Sequence, residues 1–251
     1  MSLAACAGIV ERGDPDRFLA TMAAPPGARA RLWPLYAFNV EVSRAPWVTR
    51  EPLIAEMRLQ WWSDALGEIA SGGPVRSHEV ATPLSEVLDP EGARALDRTV
   101  AARRADAHRT GPADEEALDR HIADTAGELL RQAVRLLGAE GGEKAAGDAG
   151  WAQGIANWLL AVPALEAAGV APLWPGADPA ALARKGLRRL ASARRSGVPR
   201  AARPAMLAAW RAGGVLARAE RAPERVRGGG LGGSEFARRG ALLLRSATGR
   251  W

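Results

Sequence analysis

A chain of 251 residues, 47% of them hydrophobic, is long enough to bury a sizeable core. Its single cysteine, Cys6, excludes an internal disulfide and fits a reducing compartment. The net charge of +6 is unevenly spread: residues 1–183 hold 17 basic and 25 acidic side chains (net −8), whereas residues 184–251 hold 17 and 3 (net +14).

Alanine, leucine and arginine dominate while valine and isoleucine are sparse, which favours helices throughout. The first residues lack the basic flank of a secretion signal, so a cytoplasmic setting is expected. Asp14-Pro15-Asp16 gives an acidic helix start, with Phe18, Leu19 and Met22 on an apolar face until Pro25-Pro26-Gly27. Leu32, Leu35, Tyr36, Phe38 and Val42 recur three and four apart in a second helix that stops before Pro46. Thr49 is the expected cap of a third, with Leu53, Met57, Trp61 and Ala65 as one stripe down to Gly72. A polar loop, a short helix through Leu84, Val87 and Leu88, and a helix over about 91–107 follow.

Asp114-Glu115-Glu116 opens a long helix that turns Leu118, Ile122, Leu129, Val134 and Leu137 inward and ends at Gly138. Residues 139–150 read as a loop or a frayed helix start. Trp151, Ile155, Trp158, Leu159 and Val162 then repeat at helical spacing until Pro163 ends or kinks the helix. Helices over about 179–195 and 203–222 carry the basic excess. A glycine-rich hinge at 228–233 precedes a last short helix holding Leu242, Leu243 and Leu244. The expected architecture is a single all-α domain over 1–251.

Leu32 to Trp47, with its Tyr36-Ala37-Phe38, resembles the first motif helix of the squalene/phytoene synthase family. Glu56 to Leu66 is especially similar to the phytoene-synthase-like complex I assembly factors. His78-Glu79-Val80, Thr125-Ala126-Gly127-Glu128-Leu129 and Leu173-Trp174-Pro175 also resemble family segments in order, so the likeness covers roughly residues 14–220. It implies an isoprenoid-synthase-type helical fold around a central cavity. Synthases of the family hold Mg²⁺ and prenyl diphosphates there with two aspartate clusters. The first cluster's positions fall on Ser43, Arg44 and Trp47, and the second's on Ala161 and Leu165, after a surviving Asn157. None of the five is a carboxylate, and none binds a hard cation such as Mg²⁺ well.

The resemblance therefore implies a non-catalytic relative with no cofactor, Mg²⁺ entering only if the chain is after all a prenyl transferase with an altered site. It further implies a protein partner in respiratory complex I assembly; an isoprenoid or quinone carrier is the other alternative. Ser43, Trp47, Ala161 and Leu165 are expected to meet as an uncharged or blocked cavity floor. Tyr36, Phe38, Glu41, Arg58, Trp61 and Asn157 are candidate polar or cavity-lining residues. Glu41 lies about 200° around its helix from Ser43 and cannot replace the lost cluster. Arg58 is expected to pair with Glu41, Glu56 or Asp64, and of Trp61 and Trp62 one should enter the core. The three histidines are too scattered for a zinc site. From Arg184 to Trp251 the basic excess fits an anionic membrane surface, as at the inner membrane. It lacks the aromatic interleaving of a nucleic-acid module.

Overall fold

The computed structural model describes residues 2–138, 141–248 and 251, and among these there is no strand. An unforeseen helix, α1 (Leu3–Gly13), comes first and buries Cys6, Ile9 and Val10. Asp14 ends it and caps α2 (Pro15–Met22), its carboxylate accepting from the Arg17 N–H at 3.0 Å. Helix α3 (Pro26–Arg44) buries every residue of the expected face, from Leu32 to Val42. A 3₁₀ turn at Ala45–Trp47 leads to α4 (Pro52–Ser71), which ends at the left-handed Gly72.

Two expectations for α4 fail. Thr49 accepts from the Glu51 N–H outside the helix and does not cap it. The inward face runs Ala55, Leu59, Trp62, Leu66 and Ile69; of the expected stripe Ala65 is buried with it, while Leu53 and Met57 are exposed. This helix carries apolar residues on several faces, so spacing alone selected the wrong stripe. Trp62 is the buried tryptophan of the pair; Trp61 stays at the edge.

Helix α5 (Ala81–Ser85) is a single turn, and α6 (Pro90–Ala107) packs along α4. The long acidic-start helix is continuous but not uniform. A π-helical turn at Ala123–Gly127 joins α7 (Glu115–Ile122) to α8 (Glu128–Leu136). Residues 139–140, part of the expected loop, lie outside the described residues. The rest of that stretch is mostly the start of α9 (Glu143–Ala167), which runs on four residues past Pro163. Glycines let α9 approach closely: a Cβ on Gly150 would stand 2.5 Å from the Ala126 carbonyl oxygen.

Helix α10 (Pro179–Ser196) lies along α9. The expected helix over 203–222 is instead α11 (Arg203–Met206), a 3₁₀ turn and α12 (Ala212–Arg221), a break that buries Trp210. Helix α13 (Arg225–Gly228) and α14 (Glu235–Thr248) flank the glycine-rich segment. One connected set of buried side chains extends from Cys6 to Trp251.

The basic end finds part of its counter-charge within the chain. Asp16 takes Arg211 and Arg238, Glu115 and Asp119 take Lys185 at 2.6 and 2.5 Å, and Glu166 takes Arg227 at 2.9 Å. No described helix is long and apolar enough to cross a membrane.

Candidate functional site

Ser43 lies on the last turn of α3, and Trp47 closes the turn behind it. Ala161 and Leu165, four apart, share one face of α9. All four, with Asn157, line a cavity of about 280 Å³ walled also by α2, α6, α7, the π-helical turn and α8. Four of the five lost motif positions thus line one space.

The cavity is not uncharged, however. Asp14, Arg17, Arg103, Asp106, Arg109 and His121 line it. Arg17 is buried, with its guanidinium 5.0 Å from the centre of the Tyr36 ring. Its Nη1 stands 3.1 Å from Asp14 Oδ2, close enough for an ion pair but not aligned for a hydrogen bond, so Nε and Nη1 both lack an acceptor. Arg103 Nη1 donates to Asp106 Oδ2 at 3.1 Å, and its buried Nε has no acceptor. His121 Nε2 lies 3.8 Å from Asp106 Oδ1. Burial holds the His121 pKa below the ordinary value, with Asp106 opposing. Arg109 adopts a left-handed φ of 54° and reaches over Trp47 at 5.5 Å to donate to the carbonyls of Ala168 and Thr49, at 3.1 and 3.4 Å.

The remaining candidates lie elsewhere. Arg44, one residue (100°) on from Ser43, is exposed and off the cavity. Tyr36 is sealed behind Arg17, and burial pushes its hydroxyl up to about 12. Phe38, two residues further round α3, packs edge-to-face on Trp62 at 5.2 Å. Glu41 is half-buried and outside the lining. Trp61 packs on His78 and under Arg76. Arg58 is exposed and has no ion-pair partner among the described residues, because Glu56 is held by Arg104 and His108 and Asp64 by Gln60. The cavity's charged residues escaped the sequence reading because they come from separate segments. Only the Arg103–Asp106 spacing of three and the Asp14 cap carry a local signal.

The donors do not suit Mg²⁺. The five motif positions carry no carboxylate, the two cavity carboxylates are already engaged by arginines, and no cluster of three or more acidic, His or Cys side chains among the described residues could hold a metal.

The family model for squalene/phytoene synthase matches residues 10–178. The chain is 31% identical over 166 residues to the NADH dehydrogenase (ubiquinone) complex I, assembly factor 6 homolog of Drosophila melanogaster, covering 63% of this chain and 50% of that protein. It is 26% identical over 162 residues to complex I assembly factor 6 of Bos taurus and of Homo sapiens, covering 63% of this chain and 48% of each. The chain thus spans about half the length of the curated relatives it matches. A dehydrosqualene synthase crystal structure superposes with a TM-score of 0.81 at 15% identity, covering 98% of this chain and 95% of that one. Squalene synthase HpnC from Alicyclobacillus acidocaldarius gives 0.70 at 17%, covering 87% and 93%. At such identities the likeness is one of fold.

Proposed function

The chain belongs to the squalene/phytoene synthase family, and from that premise we propose that it is a non-catalytic member, an assembly factor for a respiratory complex of the complex I type. One observation carries the reading: the positions that face each other across the cavity are Ser43, Trp47, Ala161 and Leu165. A prenyl diphosphate carries about three negative charges, and its departure has to be neutralised by Mg²⁺ in an octahedron of hard oxygens. Those positions supply no carboxylate, and their one side-chain oxygen, Ser43 Oγ, donates to the Val40 carbonyl at 3.1 Å. The assembly-factor role is drawn from the relatives' names and from the residues over 10–178 that the family model matches.

The same reading sets the protein in the cytoplasm, peripheral to the inner membrane, with the arginine-rich helices from Arg184 onward against anionic lipid. Internal pairing of Lys185, Arg211, Arg227 and Arg238 reduces that surface charge without abolishing it. A carrier role for an isoprenoid or quinone is the second reading, favoured by the cavity that persists. A prenyl transferase with an altered site has no donor set to support it.

The test has two arms. The protein incubated with Mg²⁺ and farnesyl or geranylgeranyl diphosphate is expected to give no condensed product. Removing it from a host that carries it is expected to lower NADH–quinone activity of the membranes while succinate oxidation is spared. Metal-dependent turnover, or an unchanged NADH–quinone activity, overturns the proposal.

A further inference from the structure

Guanidinium nitrogens sealed from water normally have acceptors, because an unmet donor loses its solvation and gains nothing. In this cavity Arg17 Nε and Nη1 and Arg103 Nε have none, and neither has His121 Nε2. All three side chains line the same space, and Arg17 is only 8% exposed. The lining holds three arginines, counting Arg109, against the two carboxylates of Asp14 and Asp106. Taking His121 as neutral, which its burial favours, one positive charge is left over.

That surplus selects among ligands. A diphosphate brings too much charge for it, a neutral isoprenoid leaves the nitrogens unmet, and a quinone, whose carbonyls can accept from them, leaves the positive charge uncompensated. A single carboxylate matches the charge and accepts charge-assisted hydrogen bonds from guanidinium nitrogens. The same lining holds the apolar side chains of Ile122, Leu129 and Leu165. Trp47 lines the cavity and is also 37% exposed, so it stands between the cavity and the surface. An indole in that position suits a tail that enters from a lipid surface. The volume of about 280 Å³ is at the small end of ligand cavities, which suits a short chain.

We propose that the cavity binds a short-chain amphiphile with a carboxylate head, held by Arg103 and Arg17 without any divalent metal. The proposal rests on the reading of a family cavity kept without its metal chemistry. It changes the ligand class from a metal-held diphosphate to a metal-free monocarboxylate.

The probe is octanoate, titrated calorimetrically into the full chain in EDTA, with octanol and farnesyl diphosphate as comparisons. Octanoate is expected to saturate one site, and octanol to bind at least about tenfold more weakly, the cost of losing the charge-assisted bonds. Arg103→Gln should weaken octanoate by roughly ten- to a hundredfold, and Ala161→Leu, which fills the cavity and keeps every charge, should abolish binding. Exposed Arg58→Gln should change nothing. Should Arg103→Gln fail to fold by thermal melting, Ala161→Leu and the octanol comparison decide alone. Absence of saturation, equal binding of octanol, a requirement for Mg²⁺, or undiminished binding in folded Arg103→Gln or Ala161→Leu overturns the inference. Silence toward octanoate with no condensed product removes this inference and leaves the non-catalytic reading standing. Product from farnesyl diphosphate and Mg²⁺ removes that reading itself.

Discussion

Gly150→Ala and Gly67→Ala are the same chemical change on two helices, and the structure predicts opposite outcomes. In either helix the substitution gains about 1 kcal/mol from the lower backbone entropy of alanine in the unfolded chain. At Gly67, exposed on α4, the new methyl meets nothing within 4 Å, so the whole gain is expected as stability. At Gly150 the methyl would stand 2.5 Å from the Ala126 carbonyl oxygen, 3.0 Å from Gly127 Cα and 3.0 Å from Leu130 Cβ. None of these atoms can rotate aside, so α9 must move away from the π-helical turn. Overpacking of a rigid contact costs about 1–3 kcal/mol or more, and the upper part of that range applies here. The net effect is a loss of about 1–2 kcal/mol, and the two variants should differ by about 2–3 kcal/mol. For a domain of this size that is a separation of roughly 4–12 °C in Tm. Urea unfolding followed by circular dichroism, with unchanged m-values, reads it directly. Coincident midpoints for the two variants would refute the close α8–α9 approach on which the cavity wall depends.

Cys6 is buried, and desolvation, with Glu79 nearby, pushes its thiol up to about 11, so it should resist a thiol reagent at pH 8 until denaturant is added. Fast native labelling would contradict the packing of α1. His121 has its folded pKa below the unfolded value of about 6.5. Below that pH the unfolded chain therefore binds more protons than the folded one, and stability is full above pH 6.5 and falls as acid is added. His121→Gln should flatten that fall in urea midpoints taken between pH 7.5 and 5.5; an unchanged slope argues against the buried neutral ring. Vesicles containing phosphatidylglycerol should retain the protein at low salt and release it as the Debye length shortens to about 8 Å. Loss of residues 223–251 should weaken that retention, and equal retention by neutral vesicles would reduce the basic end to an ordinary solvated face.

What the sequence made legible follows from the kind of signal each residue gives. Helix α3 is buried on every side from Leu32 to Phe38, so any apolar spacing read along it falls in the core. On α4 the apolar residues surround the axis, and only the neighbours α6 and the 45–47 turn decide which are covered. The convergence of Ser43, Trp47, Ala161 and Leu165 came from family motifs, not from periodicity. The charged half of the cavity was invisible for a physical reason. Asp14, Arg103 and His121 come from three segments that carry no common pattern, and only tertiary packing brings them to one wall. The split of the basic segment between α11 and α12 was equally unreadable, since it is the burial of Trp210 that breaks the helix.

The π-helical turn at Ala123–Gly127 gives that stretch a tolerance in length that the rest of the helix lacks. A π turn accommodates one residue more than the α-helical pitch requires. Deleting one residue from 123–127 would let the stretch close up as plain α-helix and keep His121 and Ile122 in phase with Leu129 on the cavity lining. The same deletion within α8 has no surplus residue to take up and would rotate everything beyond it by about 100°.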